Sequence, residues 1–209
     1  MSADTPQRSL REKLREVRAE LILDVAEEML AEKGYHDTSM DEIAALAGVA
    51  KGTLYQHFPG KEDLVFALFE RNLVLFEQAV GQAASASLTA RVKLERILSY
   101  VYQERRGQHA RLLQLLYQNM EIRKGLLEKK GQLRDHMEQV AGQIRTILEE
   151  GKTEGAFDPA ISTELMLLTF MSLLSLSTRE HLLVQEQLLP AELVSQVGRV
   201  FFEGIASKQ

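Results

Sequence analysis

Apolar residues recur every three or four positions along almost the whole chain, and no stretch alternates as a half-buried strand would. Leu10, Leu14, Val17, Leu21, Val25 and Met29 form the first helical series, and Gly34 ends it as a C-cap. Ser39-Met40-Asp41-Glu42 is a capping-box sequence opening a second helix that stops at Gly48. A third, short helix runs from about Lys51 to His57, and Pro59 prevents its continuation. Gly60-Lys61-Glu62-Asp63 then opens a long amphipathic helix through Leu64, Leu68, Phe69, Leu73, Phe76 and Val80, its two acids suited to the positive end of the helix dipole.

Longer helices follow, at about 89–106, 109–119 and 121–151, the last carrying Leu126, Leu133, Met137, Val140, Ile144 and Leu148. The stretch from Gly151 to Pro159 is the clearest break in this half. After it come a markedly apolar helix at about 162–187 and a final one after Pro190 bearing Leu193, Val197, Val200, Phe201 and Ile205. The pattern predicts an all-α fold. Residues 1–60 form an N-terminal three-helix domain, and residues 61–209 a larger helical bundle.

Composition narrows the possibilities. The 209 residues contain no cysteine, which removes disulfides, thiolate zinc sites and cysteine nucleophiles. The charged start through Glu20 does not read as a signal peptide. The most apolar stretch, Leu165 to Leu176, carries Thr169, Ser172 and Ser175 and is too short to span a bilayer. A cytoplasmic protein without membrane partner or cofactor is expected. The formal net charge of −5 gives no broad basic face, so any nucleic-acid contact must come from a small, local positive surface.

Such a surface has a place to sit. Two short helices joined by a turn at Gly48 have helix-turn-helix spacing. Ile43, Ala47, Val49 and Leu54 form the inner face, Ala44 is small where the next helix crosses above it, and Gly48 supplies left-handed backbone. This leaves Lys51, Gly52, Thr53, Tyr55, Gln56 and His57 on or near the outer side of the third helix, the one that enters the major groove in such motifs. Lys51 can pair with phosphate or guanine, Thr53 with phosphate or a thymine methyl, and Gln56 with an adenine edge. Gly52 lets the backbone come close to the duplex. Thr38, Ser39 and Lys61 flank the unit where hydroxyls, backbone amides and a cation can clamp phosphates.

Residues 21–68, LILDVAEEMLAEKGYHDTSMDEIAALAGVAKGTLYQHFPGKEDLVFAL, resemble the N-terminal domain of the TetR/AcrR transcriptional regulators. The likeness rests on Gly34, Tyr35, Thr38 and Ser39, on Ile43, Ala44 and Ala47 to Val49, and on Lys51 to Leu64. It implies a homodimeric repressor that binds a palindromic operator and releases it when a small molecule occupies the C-terminal domain. By matching position it assigns DNA contacts to Thr38, Lys51, Gly52, Thr53, Tyr55, His57 and Lys61. Ala50 departs from the serine common in the family, so the third helix lacks a side-chain cap there, a loss typically worth about 1 kcal/mol.

Plainer explanations stand beside these. Phe58 reads as core, and Tyr55 can pack its ring while offering its hydroxyl. The arginines from Arg8 to Arg18 alternate with Glu12, Glu16 and Glu20 and read as a solvated, ion-paired face; an arm in the minor groove is the alternative. The helix-turn-helix could also be purely structural, in an all-α binding protein or enzyme. Gly151-Lys152-Thr153 mimics the end of a phosphate loop, but Thr146 stands where that motif needs a glycine, and a helix precedes it. No HExxH is present, and the five histidines are scattered, so no metal site is expected.

In the second half Tyr100, Tyr102, His109, Tyr117, Arg123, His136, Met137, Met166, Phe170 and Met171 fall on helices around a bundle interior. Most such residues are core. A largely apolar effector pocket would draw on Tyr100, His109, Tyr117, His136, Met137, Met166 and Phe170, with His109, Tyr117 or His136 as polar anchor. The last two helices are apolar around much of their circumference, which predicts a homodimer through a four-helix interface, two from each chain.

Overall fold

The computed structural model describes residues 10–102, 119, 120, 122, 124, 128, 130–175 and 190–206. Within them the elements are α1 (Leu10–Asp37), α2 (Met40–Leu46), α3 (Lys51–His57), α4 (Lys61–Ala84), α5 (Ala90–Tyr102), α6 (Lys130–Thr153), α7 (Thr163–Leu174) and α8 (Pro190–Ile205). An isolated antiparallel bridge joins Phe157 to Ala206, and no longer strand occurs among the described residues. The expected helix at 109–119, all but its last residue, and the end of the one at 162–187 lie outside the described residues.

The chain divides into two compact units, Met1–Leu68 and Phe69–Gln209. Pro59 ends α3, but the first unit reaches further because Leu64, Val65 and Leu68, in the first two turns of α4, are fully buried.

Its core is made by Ile22, Leu23, Ala26, Met29 and Leu30 of α1, Met40, Ile43, Ala44 of α2, Ala47, and Leu54 and Phe58 at α3. This corrects the apolar face expected for α1. Leu10, Leu14, Val17 and Leu21 are 74%, 48%, 65% and 47% exposed and Val25 is half-buried, so of the expected series only Met29 joins the core, beside Ile22, Leu23, Ala26 and Leu30. Two apolar stripes run on one helix, and spacing alone does not show which one meets the core. Gly34 ends the regular part of α1 with φ 81°, where a side chain would be strained.

The second unit packs Val80 and Ala83 of α4 with α5, α6, α7 and α8 around Leu94, Ile97, Leu98, Ile144, Ile147, Leu148, Met166, Phe170, Phe201 and Phe202. Lys93 is 7% exposed and is paired with Glu150 at 2.7 Å, which joins α5 to α6. The segment resembling a phosphate loop lies at the C-terminal end of α6. A Cβ at Gly151 would sit 2.1 Å from Cδ2 of Phe157, so this glycine is there to seat a phenylalanine. Phe157 in turn stacks on Phe202 at 6.4 Å, and the Asp158 amide donates to the Ile205 carbonyl at 2.8 Å.

Candidate nucleic-acid interface

Local rules build the α2–α3 pair. Ser39 caps α2 with both halves of the capping box present: its hydroxyl accepts from the Glu42 amide at 3.2 Å, and the Glu42 carboxylate accepts from the Ser39 amide at 3.3 Å. Lys33 and Ser39 hold the Glu42 carboxyl below the usual carboxylate range. Gly48 takes φ 64° and turns the chain, and the Val49 amide donates to the Ala44 carbonyl at 3.0 Å. Ala50 begins α3 without a side-chain cap. Leu54 and Phe58 anchor α3 in the core, at 0% and 7% exposure.

The opposite side of α3 is open. Lys51, Gly52, Tyr55 and Gln56 are exposed, and Thr53 and His57 half-buried. A Cβ built on Gly52 would meet no atom within 4 Å, and its φ is not positive. Neither fold nor backbone therefore calls for glycine there, although glycine weakens a helix. Lys51 Nζ lies 2.7 Å from Asp41 Oδ2, and this carboxylate raises the pKa of the ammonium, which stays charged. The pair is exposed on both sides, so it is weak and exchangeable for another anion. Sequence reasoning missed Asp41 as its partner, since ten residues and a turn separate the two.

His57 sits in the last turn of α3, and its pKa is lowered, first by burial and then by the positive charges of Arg15 and Arg18 on α1.

Two expected phosphate contacts are spent inside the protein. Thr38 is 1% exposed, and its hydroxyl donates to the Gly34 carbonyl at 2.8 Å, closing the turn after α1. Lys61 donates to the carbonyls of Tyr35 and, at 2.7 Å, Thr38, with its ammonium 4.3 Å from the centre of the Tyr35 ring. Burial lowers its pKa. Both side chains shape the α1–α2 connection rather than stand free at the surface.

In the second unit, Tyr100 packs its ring on Phe76 at 6.0 Å, and His136 Nδ1 lies 2.5 Å from Glu77 Oε2, so both meet one turn of α4. Met137 is 40% exposed. Met166 and Phe170, at 1% and 0%, are core residues, with Phe170 against Phe201 at 5.1 Å. Tyr102 is likewise core, its hydroxyl donating to the Leu173 carbonyl at 2.6 Å. His109, Tyr117 and Arg123 lie outside the described residues.

A three-helix unit with a short, anchored helix presenting lysine, bare backbone, tyrosine and glutamine has the build of a helix-turn-helix DNA-binding protein. The model of the bacterial regulatory proteins of the tetR family matches residues 22–68. A fatty acid metabolism regulator protein of Bacillus subtilis is 31% identical over 144 residues, 69% of this chain and 73% of that protein. The transcriptional regulator FadR from Bacillus subtilis, solved in complex with stearoyl-CoA, superposes with a TM-score of 0.70 at 25% identity, covering 89% of this chain and 98% of that one. The ketosteroid regulator KstR2 of Mycobacterium tuberculosis shares the fold, with a TM-score of 0.65 at 22% identity over 97% of this chain and 98% of that one. The chain belongs to the TetR family of bacterial transcriptional regulators. It is a regulator and not an enzyme. Among the described residues no helix is long and apolar enough to cross a membrane.

Proposed function

We propose that the chain is a cytoplasmic homodimeric repressor that binds a palindromic operator through two copies of α3 and leaves it when a largely apolar effector occupies the second unit. The carrying observation is Gly52 on the exposed side of α3. The protein has no internal use for a glycine there, and a duplex approaching the backbone does. Lys51, Thr53, Tyr55, Gln56 and His57 surround it, with Ser39 at the nearby start of α2; Thr38 and Lys61 hold the frame. Dimerisation is supported by Leu165 and Leu168 of α7 and Val200 of α8, which are 59%, 67% and 76% exposed in the single chain. For the effector we favour a long-chain fatty acyl group, carried as its coenzyme A thioester. The support is the Bacillus subtilis regulator of fatty acid metabolism and the stearoyl-CoA bound to FadR. Among the described residues we favour Tyr100 and His136, which meet Phe76 and Glu77 of α4, as its contacts.

The test is a salt titration of binding to the DNA upstream of its own gene, with and without stearoyl-CoA. Lys51→Ala lowers the salt slope by about one unit per protomer. Equal affinity for random DNA would sink the operator reading, a monomer by light scattering the dimer, and indifference to acyl-CoA the effector class.

A further inference from the structure

Lys51 is the one lysine or arginine of α3. Lys61, the next lysine along the chain, is turned inward onto the carbonyls of Tyr35 and Thr38. α3 therefore brings a single permanent positive charge to its open side, and the fold sets a carboxylate directly on it. Lys51 Nζ lies 2.7 Å from Oδ2 of Asp41, in the first turn of α2. The frame has no need of that pair. Glu42, the other acid of the same turn, already closes the capping box on Ser39 and pairs with Lys33. Lys51 and Asp41 are 61% and 60% exposed, where an ion pair adds almost nothing to stability. In a chain with a net charge of −5 that has to hold a polyanion, cancelling the one cation of α3 calls for a reason.

We infer that Asp41 is a specificity-determining residue, which makes Lys51 a reader of guanine rather than a clamp on any phosphate. The inference rests on α3 being the helix that enters the groove. An ammonium has three N–H donors and no acceptor. With one held by Asp41 two remain, and guanine presents two neutral acceptors, O6 and N7, in the major groove. The carboxylate can stay where it is, and it steadies a side chain that is otherwise free to turn about its flexible stem. A phosphate meets a different situation. Two acceptors on one ammonium stand about 4–5 Å apart, so phosphate and carboxylate would be like charges at close range. If the phosphate instead displaces Asp41, the carboxylate is left bare against a polyanion. Either route weakens the contact that carries no sequence and spares the one that does, which is how a repulsive element sharpens discrimination.

The experiment follows affinity against salt for full-length wild type, D41N, D41E, Lys51→Ala and D41N/K51A, with a thermal melt of each. The duplexes are the operator, the operator with each G·C pair of a half-site changed in turn to A·T, and random sequence. D41N adds one net positive charge at the site, Lys51→Ala removes one, and the double variant restores neutrality. D41N should therefore steepen the slope of log affinity against log salt by about 0.9 per protomer, and raise affinity for random DNA roughly 5- to 10-fold near 0.1 M salt. Operator affinity should rise less, so that the ratio of operator to random binding falls about 3- to 10-fold. One G·C pair per half-site, costly for the wild type to lose, should become dispensable in D41N. D41E keeps the charge and should keep the ratio, and D41N/K51A should return to the wild-type slope. Equal gains on operator and random DNA, or D41E behaving as D41N, overturn the inference. Weaker binding of D41N to both duplexes with a lower Tm overturns it in favour of a structural role for Asp41. A wild type that binds operator and random DNA alike overturns the reading of α3 as well.

Discussion

Gly52→Ala separates what the fold wants from what the duplex wants. The added methyl meets nothing within 4 Å and the backbone needs no left-handed conformation, so the folded protein accepts it without strain. Alanine also restricts the unfolded chain and favours helix, a gain of about 0.5–1 kcal/mol in a helix interior. Gly52 is the second residue of the seven-residue α3, so the lower half of that range applies. For a chain of this size that raises Tm by about 1–3 °C. On DNA the same methyl enters the space the duplex must occupy. Forcing a methyl into a close-packed contact costs about 1–3 kcal/mol, or roughly 5- to 100-fold in affinity. No charge changes, so the salt slope stays at its wild-type value. Calorimetry and fluorescence anisotropy read the two effects, which have opposite signs. A lower Tm would reveal an internal need for the glycine. Unchanged affinity would show that the duplex does not approach the α3 backbone at this point.

Gly151→Ala should behave in the reverse way: its Cβ would overlap the buried Phe157 ring, and the chain should lose about 1–3 kcal/mol or more in urea unfolding. Thr38→Val removes a buried hydroxyl donor to Gly34, so unfolding should cost about 1 kcal/mol less while the salt slope of DNA binding holds. His57 has a folded pKa below the ordinary histidine value of 6.5, so between the two values the unfolded chain binds a proton that the folded chain does not. That part of the stability is complete above pH 6.5 and drains away as pH falls toward the folded pKa; His57→Gln should flatten this portion of a stability–pH curve. Phosphate beside His57 acts in the opposite sense, so operator affinity should rise as pH drops through the same window, measured at constant salt.

The reading region was largely legible because its signals are local. Ser39 with Glu42, Gly48 and Pro59 mark ends that short-range geometry enforces, and α2 and α3 fall where those residues put them. What escaped was partnership across distance. Lys61 looks like a free cation until the carbonyls of Tyr35 and Thr38 are seen 26 and 23 residues away in sequence. Thr38 reads as a surface hydroxyl, yet four residues back Gly34 turns its carbonyl to receive it. On α1 apolar residues offer two competing faces; only tertiary packing selects Ile22, Leu23, Ala26 and Leu30, with Met29, over Leu10, Leu14, Val17 and Leu21. In the second unit the spacing of Met166 and Phe170 could not separate lining from core, whereas their burial does. Glu77 and His136 lie 59 residues apart, and no pattern links them.

Because α1 keeps helical backbone from Leu10 up to Gly34, it behaves as a shaft whose length sets an azimuth. Inserting one residue between Arg18 and Ile22 turns everything before it by about 100° relative to the buried face. Deleting one turns it about 100° the other way. A seven-residue insertion nearly restores the angle but carries the arginines about 10 Å outward. Between Arg18 and Ile22, chain length therefore sets the angle at which the exposed start of α1 leaves its buried end.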